Sequence, residues 1–352
     1  MPPRYREIEA CGSPLEMGRQ IGEATRNEIR GFAAVALERV HKTVRISREK
    51  ASKIAAECST YVEQYAPDLL VELRGMSESS GVSFSDLMLL QVRNQFTPET
   101  DSGCTSFSMG RAVCREGRMF VGQNWDNDPA LDPFTVVLTR RPTNQPAMMT
   151  VTQAGLIAYI GLNDAGMAAC LNMLPAPSRA VGVPLYFILR TIYETRTLDD
   201  AVESVRRAER AIPSNIMLAT RQGPADLEVT LDNVHILRDD GEGVVTHTNH
   251  CLHPDLVHIN EQFDEVIQSK PRKRRIDEIL DVASGLFDLA QLKTALSDHQ
   301  DYPTSICRHA NDHPQYGFWK TVFSVIIDPE NCQMHIARGT PCNHPYEIYR
   351  MD

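Results

Sequence analysis

Asp101-Ser-Gly-Cys-Thr-Ser106 and Gly122-Gln-Asn-Trp-Asp126 decide how this chain is organised, because the character of the sequence changes abruptly at the first of them. Upstream, apolar residues recur at helical spacing. Ser13-Pro-Leu-Glu16 reads as a capping box with proline in the first turn, continued by Met17, Ile21, Ala24 and Ile29 on one face. Ile54, Cys58, Tyr61 and Tyr65 predict a second helix ending before Pro67, and Leu69, Leu70, Leu73 and Met76 a third closing at Gly81. Ser85-Asp86 is read as the cap of a fourth that carries Leu87 to Leu90. Downstream, β-type runs follow one another: 107–113, 119–125, 134–141, 148–153, 156–162 and 167–173.

Further helices are predicted after Pro184, after Thr197, and from about Arg274 to Ser297, with strands between Asn215 and Asn249. A final strand pair, 322–327 and 333–337, turns across Asp328-Pro-Glu-Asn331. So many strands exceed one comfortable open sheet. The economical arrangement is α+β, with two stacked, mainly antiparallel sheets between helical layers.

The chain has 352 residues, 42% apolar and 23% charged, with a net charge of -10. That charge argues against a nucleic-acid partner, since affinity for phosphate backbones rests on clustered Lys and Arg. The one basic run, Lys270-Pro-Arg-Lys-Arg-Arg275, precedes an apolar-periodic stretch and reads as a solvated helix start. No apolar run reaches membrane-spanning length and the first residues do not read as a signal peptide, so no membrane partner is expected. Nine cysteines, an odd number without a CxxC pair, point to a reduced, cytoplasmic chain.

If 105–113 pairs with 119–124 around Arg115-Glu-Gly117, the hairpin returns Asp126 to the neighbourhood of Cys104. A thiol and a carboxylate do not make a nucleophile and base. They do if Cys104 is a chain terminus, because an α-amine titrating near ~7.7–8.0 can take the proton of a thiol near ~8.5.

Gly103-Cys-Thr-Ser106 together with Gly122-Gln-Asn-Trp-Asp126 resembles the isopenicillin-N acyltransferase family of self-cleaving N-terminal-nucleophile enzymes. Gly12-Ser-Pro-Leu-Glu-Met-Gly18, Leu73-Arg-Gly-Met-Ser77, Asn163-Asp-Ala-Gly166, Thr248-Asn-His250 and Pro303-Thr-Ser-Ile-Cys-Arg308 fall in the family's order. The resemblance implies a four-layer αββα sandwich and cleavage of the Gly103–Cys104 bond. Residues 1–103 would become a small helical chain that stays with the catalytic chain 104–352 as one domain. It further implies Cys104 as nucleophile and base, Asp126 as partner of the α-ammonium, Asn249 as oxyanion donor and Arg308 as the group fixing carboxylate and terminus. Thr105, Ser106 and Asn172 are supporting candidates for substrate or oxyanion contact. Ser106 stands where the penicillin-processing members are expected to have threonine.

The implied reaction is hydrolysis or acyl transfer at the amide of a small N-acyl compound through a thioester on Cys104, without a cofactor and with an acyl-coenzyme A as one candidate donor. Two other readings compete. His247, His250, Cys251 and His253 form the metal-like cluster of the sequence, which would make a metal-dependent hydrolase. A ligand-binding relative that has lost catalysis is the third.

Overall fold

The computed structural model describes residues 4–39, 46–96, 103–239, 243–314 and 317–352, without the side chains of Leu37, Arg39 and Ser284. Asp101 and Ser102 of the boundary stretch therefore lie outside the described residues, whereas Gly103 and Cys104 are within them.

The helical first part is α1 (Pro14–Ala24), α2 (Arg26–Arg39), α3 (Arg48–Tyr65), α4 (Pro67–Ser80) and α5 (Phe84–Val92). Ser13 and Glu16 form the reciprocal capping box. Gly81, at φ 74°, takes the left-handed position that ends α4. Two details differ from the sequence reading. The helix begun at Pro14 stops at Thr25, whose backbone N–H and hydroxyl both return to the Ile21 carbonyl, and a new helix starts at Arg26. The cap of α5 is Ser83 rather than Ser85: its hydroxyl oxygen accepts from the Asp86 backbone N–H.

Helices α1 and α4 cross closely because glycines meet backbone. A Cβ on Gly18 would stand 2.0 Å from the Glu72 carbonyl oxygen, and one on Gly75 would stand 2.5 Å from that of Leu15. That crossing seats Glu72 in the core, where it accepts from Arg140 Nε at 2.7 Å and Arg190 Nη1 at 2.6 Å.

Fourteen strands form two sheets among the described residues. The larger has the order β1 (Arg6–Gly12), β4 (Thr135–Pro142), β5 (Met148–Gln153), β6 (Ile160–Asn163), β7 (Ala168–Asn172), β8 (Ser214–Thr220), β9 (Gly223–Val229) and β10 (Val234–Leu237). The smaller has the order β11 (Val244–His247), β2 (Gly103–Met109), β3 (Phe120–Asn127), β12 (Lys320–Asp328), β13 (Gln333–Arg338) and β14 (Tyr346–Arg350). Every pairing is antiparallel except β1 with β4. The predicted strand 107–113 ends at Met109, and residues 111–113 form a 3-10 turn.

Alternation sorts the side chains of β2 and β3 between two cores. Ser108 and Gln123 point into the space between the sheets, donating to Leu218 O at 2.8 Å and Leu171 O at 2.7 Å. Phe107, Met109 and Phe120 point the other way and join Ile276, Leu292 and Leu296 in a separate apolar cluster. Those last three belong to α8 (Ser269–Ile279) and α9 (Leu289–Leu296), which cover the smaller sheet. The first five helices, with α6 (Leu185–Tyr193) and α7 (Leu198–Arg207), cover the larger one. The order of layers is helix, sheet, sheet, helix, as the sequence implied.

Candidate active site

Cys104 is the second residue of β2, and the β2–β3 hairpin sets Cys104 opposite Trp125 and Gly103 opposite Asp126. Cys104 is 2% exposed. Its thiol shares the space between the sheets with Tyr159 and Cys170, while Trp125 packs edge-on to Tyr159 at 5.9 Å. Burial first, then the charge of Asp126, pushes the thiol up to about 12, and Arg272 opposes them. An internal cysteine in this setting is a weak nucleophile.

The backbone of Cys104 is held as firmly as its side chain. Its N–H donates to Asn249 Oδ1 at 2.9 Å. Its carbonyl accepts from Arg272 Nη1, which also reaches Thr105 Oγ1 at 3.0 Å, while Arg272 Nη2 donates to Asn249 Oδ1 at 2.9 Å. Asn249 Nδ2 donates one hydrogen to Met173 O at 3.0 Å, which leaves its second for another acceptor. The segment carrying Asn249 is fixed by Ser269 Oγ, which accepts from the Asn249 backbone N–H at 2.8 Å.

Asp126 lies at the far end of β3, on the face that carries Asn124 toward the α8–α9 layer. Its Oδ1 accepts from Thr321 Oγ1 at 2.7 Å, and its buried Oδ2 has no hydrogen-bond partner among the described residues. Burial lifts this carboxyl to about 6, against the pull of Arg272, Arg308 and the Thr321 hydroxyl. An unpartnered carboxylate oxygen in a buried site is costly, and an ammonium group would relieve it. Arg308 is buried too, its backbone N–H on Thr321 Oγ1 at 3.0 Å and its guanidinium facing Asp126 and Gln268.

Cys104, Asp126, Asn249, Arg308 and Thr105 thus converge at one end of the smaller sheet. Asn172 and Ser106 sit beside them with other tasks. Both Nδ2 hydrogens of Asn172 go to backbone carbonyls, His247 at 3.2 Å and Thr248 at 2.8 Å, so its amide nitrogen is not free for an oxyanion. Its Oδ1 is buried and unpartnered, on the wall of a cleft with Cys104. Ser106 Oγ points at His247 O at 3.5 Å. The cleft encloses about 50 Å³ and is walled by Tyr159, Leu171, Leu174, Leu185 and Ile212. Tyr159 is the aromatic side chain on its wall; Trp125 stacks on Phe323 at 4.9 Å instead, and Phe187 is fully buried elsewhere. A larger polar depression of about 440 Å³, bordered by Tyr65, Asp68, Glu194 and Arg207, lies in the outer helical layer away from Cys104.

The sequence reading missed Arg272, which it placed in a solvated basic run. The structure buries it, and burial with partial compensation by Asp126 lowers it to about 10. The signal was its spacing: Ser269, Arg272 and Ile276 are the inward positions of α8.

The His247, His250, Cys251 and His253 cluster does not converge. His247 Nε2 meets Glu228 at 2.9 Å, His250 Nδ1 meets Ser269 Oγ at 2.7 Å, and His253 lies against His235 with ring centroids 4.3 Å apart. Strand and loop geometry directs these neighbours in sequence to different partners. No described helix is long and apolar enough to cross a membrane.

Among curated proteins, the chain is similar to the acyl-coenzyme A:6-aminopenicillanic-acid-acyltransferase 40 kDa form of Emericella nidulans, 27% identical over 353 residues, covering 98% of this chain and 95% of the relative. Similar solved structures include a conjugated bile acid hydrolase mutant from Clostridium perfringens (TM-score 0.45, 11% identity, 71% of this chain and 97% of the other). A penicillin V acylase from Agrobacterium tumefaciens also matches (TM-score 0.43, 12% identity, 66% and 82%). The family model described as acyl-coenzyme A:6-aminopenicillanic acid acyl-transferase matches residues 113–343, most of the chain, and the chain belongs to that family.

Proposed function

We propose that the chain cleaves its own Gly103–Cys104 bond and that the freed Cys104 then carries acyl groups as a thioester. As a family member the protein is an amide hydrolase or acyltransferase. The observation that supports the finer reading is the grip on the Cys104 backbone nitrogen. A buried asparagine oxygen accepts its N–H, and a buried carboxylate with one unpartnered oxygen lies at the paired end of the next strand. An internal cysteine nucleophile needs a base beside its thiol and gains nothing from such a cage around a peptide N–H.

In processing, the Cys104 thiol attacks the Gly103 carbonyl, the C–N bond breaks, and the acyl group moves from nitrogen to sulfur. Water then releases the Gly103 carboxylate and restores the thiol. The new α-amine is held between Asn249 Oδ1 and Asp126. In turnover this amine takes the thiol proton, the thiolate attacks the acyl carbonyl, and the α-ammonium returns the proton to the leaving group. The acyl group arrives in a small linear amide or an acyl-coenzyme A, and either delivers it to the same sulfur. Water or a second amine removes it. The remaining hydrogen of Asn249 Nδ2 serves the oxyanion, a role typically worth ~3 kcal/mol of barrier. Arg308 and Arg272 hold Asp126 ionised while the amine carries its proton.

Two measurements test this. Intact mass under denaturing conditions is expected to give fragments ending at Gly103 and starting at Cys104, with Cys104→Ala uncut. Next, residues 1–103 are co-expressed with a second chain that starts at Cys104 or carries one extra residue before it. Only the free-amine form is expected to turn over an amide substrate. Equal rates for two equally folded forms would defeat the N-terminal-nucleophile reading even if the chain cleaves itself.

A further inference from the structure

We propose that His299, Cys307, His309 and Cys342 form a closed tetrahedral site for one divalent transition-metal ion, zinc by its donor chemistry, which brackets Arg308. The four ligating atoms lie within 4.8 Å of one another. His309 Nε2 is 3.2 Å from His299 Nε2, 3.6 Å from Cys307 Sγ and 3.4 Å from Cys342 Sγ. Bond lengths of ~2.0–2.1 Å to nitrogen and ~2.3 Å to sulfur give tetrahedral edges of roughly 3.3 Å for N–N and 3.6 Å for N–S. The observed separations match these edges.

Hydrogen bonding does not account for the cluster. A single imidazole nitrogen has one in-plane hydrogen or one lone pair, yet His309 Nε2 faces three donor atoms from three segments. His299 follows α9, Cys307 and His309 precede β12, and Cys342 lies between β13 and β14. A cation at the centre satisfies all four at once, and two thiolates neutralise its charge. The Cys2His2 donor set selects zinc among the common divalent ions and, with four protein ligands, leaves no open position for a reacting water. The site is therefore structural, not hydrolytic.

Its place in the fold gives it a task. Arg308 stands between two of the ligands; its carbonyl accepts from the Thr321 backbone N–H, and its own N–H donates to the Thr321 hydroxyl that in turn donates to Asp126. Metal binding would lock the loop that aims the Arg308 guanidinium at that carboxylate. This consequence rests on the proposed catalytic site; the metal site itself does not.

The test uses untagged full-length protein kept reduced and desalted before elemental analysis. About one zinc per chain is expected. Chelated protein titrated with cobalt should show thiolate-to-metal charge transfer in the near ultraviolet and intensified tetrahedral d–d bands saturating at one equivalent. Cys342→Ser should lose roughly half of the charge-transfer intensity, and His299→Ala should weaken cobalt affinity at least tenfold. His235→Ala, at the separate ring contact of His235 with His253, should leave both unchanged. Chelation should lower the melting temperature by several degrees, with recovery on adding zinc. Wild-type protein that takes up no cobalt would overturn the proposal, as would a Cys307–Cys342 disulfide found after thiol blocking. A cobalt spectrum unchanged in Cys342→Ser would overturn it too.

Discussion

Asn249 and Arg272 act on the same few atoms around Cys104, and their variants are expected to behave differently for a physical reason. Asn249→Ala removes both the acceptor for the Cys104 nitrogen and the proposed oxyanion donor, so turnover should fall by about 10²–10³. Arg272→Lys keeps the charge near Asp126 but loses the fork that binds Cys104 O and Asn249 Oδ1 together. Its loss should be smaller, and adding it to Asn249→Ala should cost little more, since residues sharing one network are not additive. Strict additivity in rate, measured on processed protein, would place the two in separate roles. Cys104 and Asp126 were legible in the sequence because a short hairpin brings them together whatever the tertiary packing. Arg272 was not, because a basic run looks solvated unless its helical face is known. The four cysteine and histidine residues around Arg308 were not legible either, since three separate segments supply them and their spacing matches no known metal motif.

At the scale of elements, strands whose two faces are both covered announced themselves as apolar runs, while the edge strands β1 and β14 did not. β1 reads Arg-Glu-Ile-Glu-Ala-Cys-Gly, with only Ile8 and Ala10 buried, and its pairing to β4 depends on a distant segment. β14 is an edge of the same kind. One buried link between the N-terminal helices and the larger sheet was equally hidden, because it is ionic and set within the shared apolar core: Glu72 of α4 holds Arg140 of β4 and Arg190 of α6, all three buried. Glu72 stays below the usual carboxylate range although burial alone would raise it, because the two guanidinium groups outweigh that penalty. Glu72→Gln keeps the volume and leaves two buried cations short of an anion, so stability should drop by about 3–5 kcal/mol. Denaturant unfolding of the uncut Cys104→Ala background measures it. A loss under about 1 kcal/mol would mean that water reaches the arginines.

Across the whole molecule, the two sheets are joined near the site by buried ionisable groups, and this gives the fold a direction of pH dependence. His247 of β11 meets Glu228 of β9 at 2.9 Å, and Asp226 on the same strand accepts from Asn215 Nδ2 at 2.6 Å. Burial lifts Asp226 from 3.8 to about 7, with His247 opposing and Glu228 reinforcing. His247 is raised above 6.5 although burial lowers it, because Asp226 and Glu228 favour its charged form. Both groups bind their proton more tightly in the folded chain than in the unfolded one. The stability that follows is complete below the unfolded values and is lost as pH rises through the folded ones. Asp126, lifted to about 6, has the same sign. Glu228 is held below 4.5 by His247 and backbone N–H groups despite burial; it contributes above that value and loses its contribution only in more acidic solution. Between pH 5 and 8 the net effect of these groups is therefore a melting temperature that falls as pH rises. Asp226→Asn retains the shape and an oxygen for Asn215, and removes the titration. In a Cys104→Ala background, which keeps the chain in one covalent state, Asp226→Asn should flatten the slope while raising stability at pH 8 relative to pH 5. If the slope of melting temperature against pH is the same with and without Asp226, the joint between the sheets does not titrate as a unit, and the pH response must arise elsewhere.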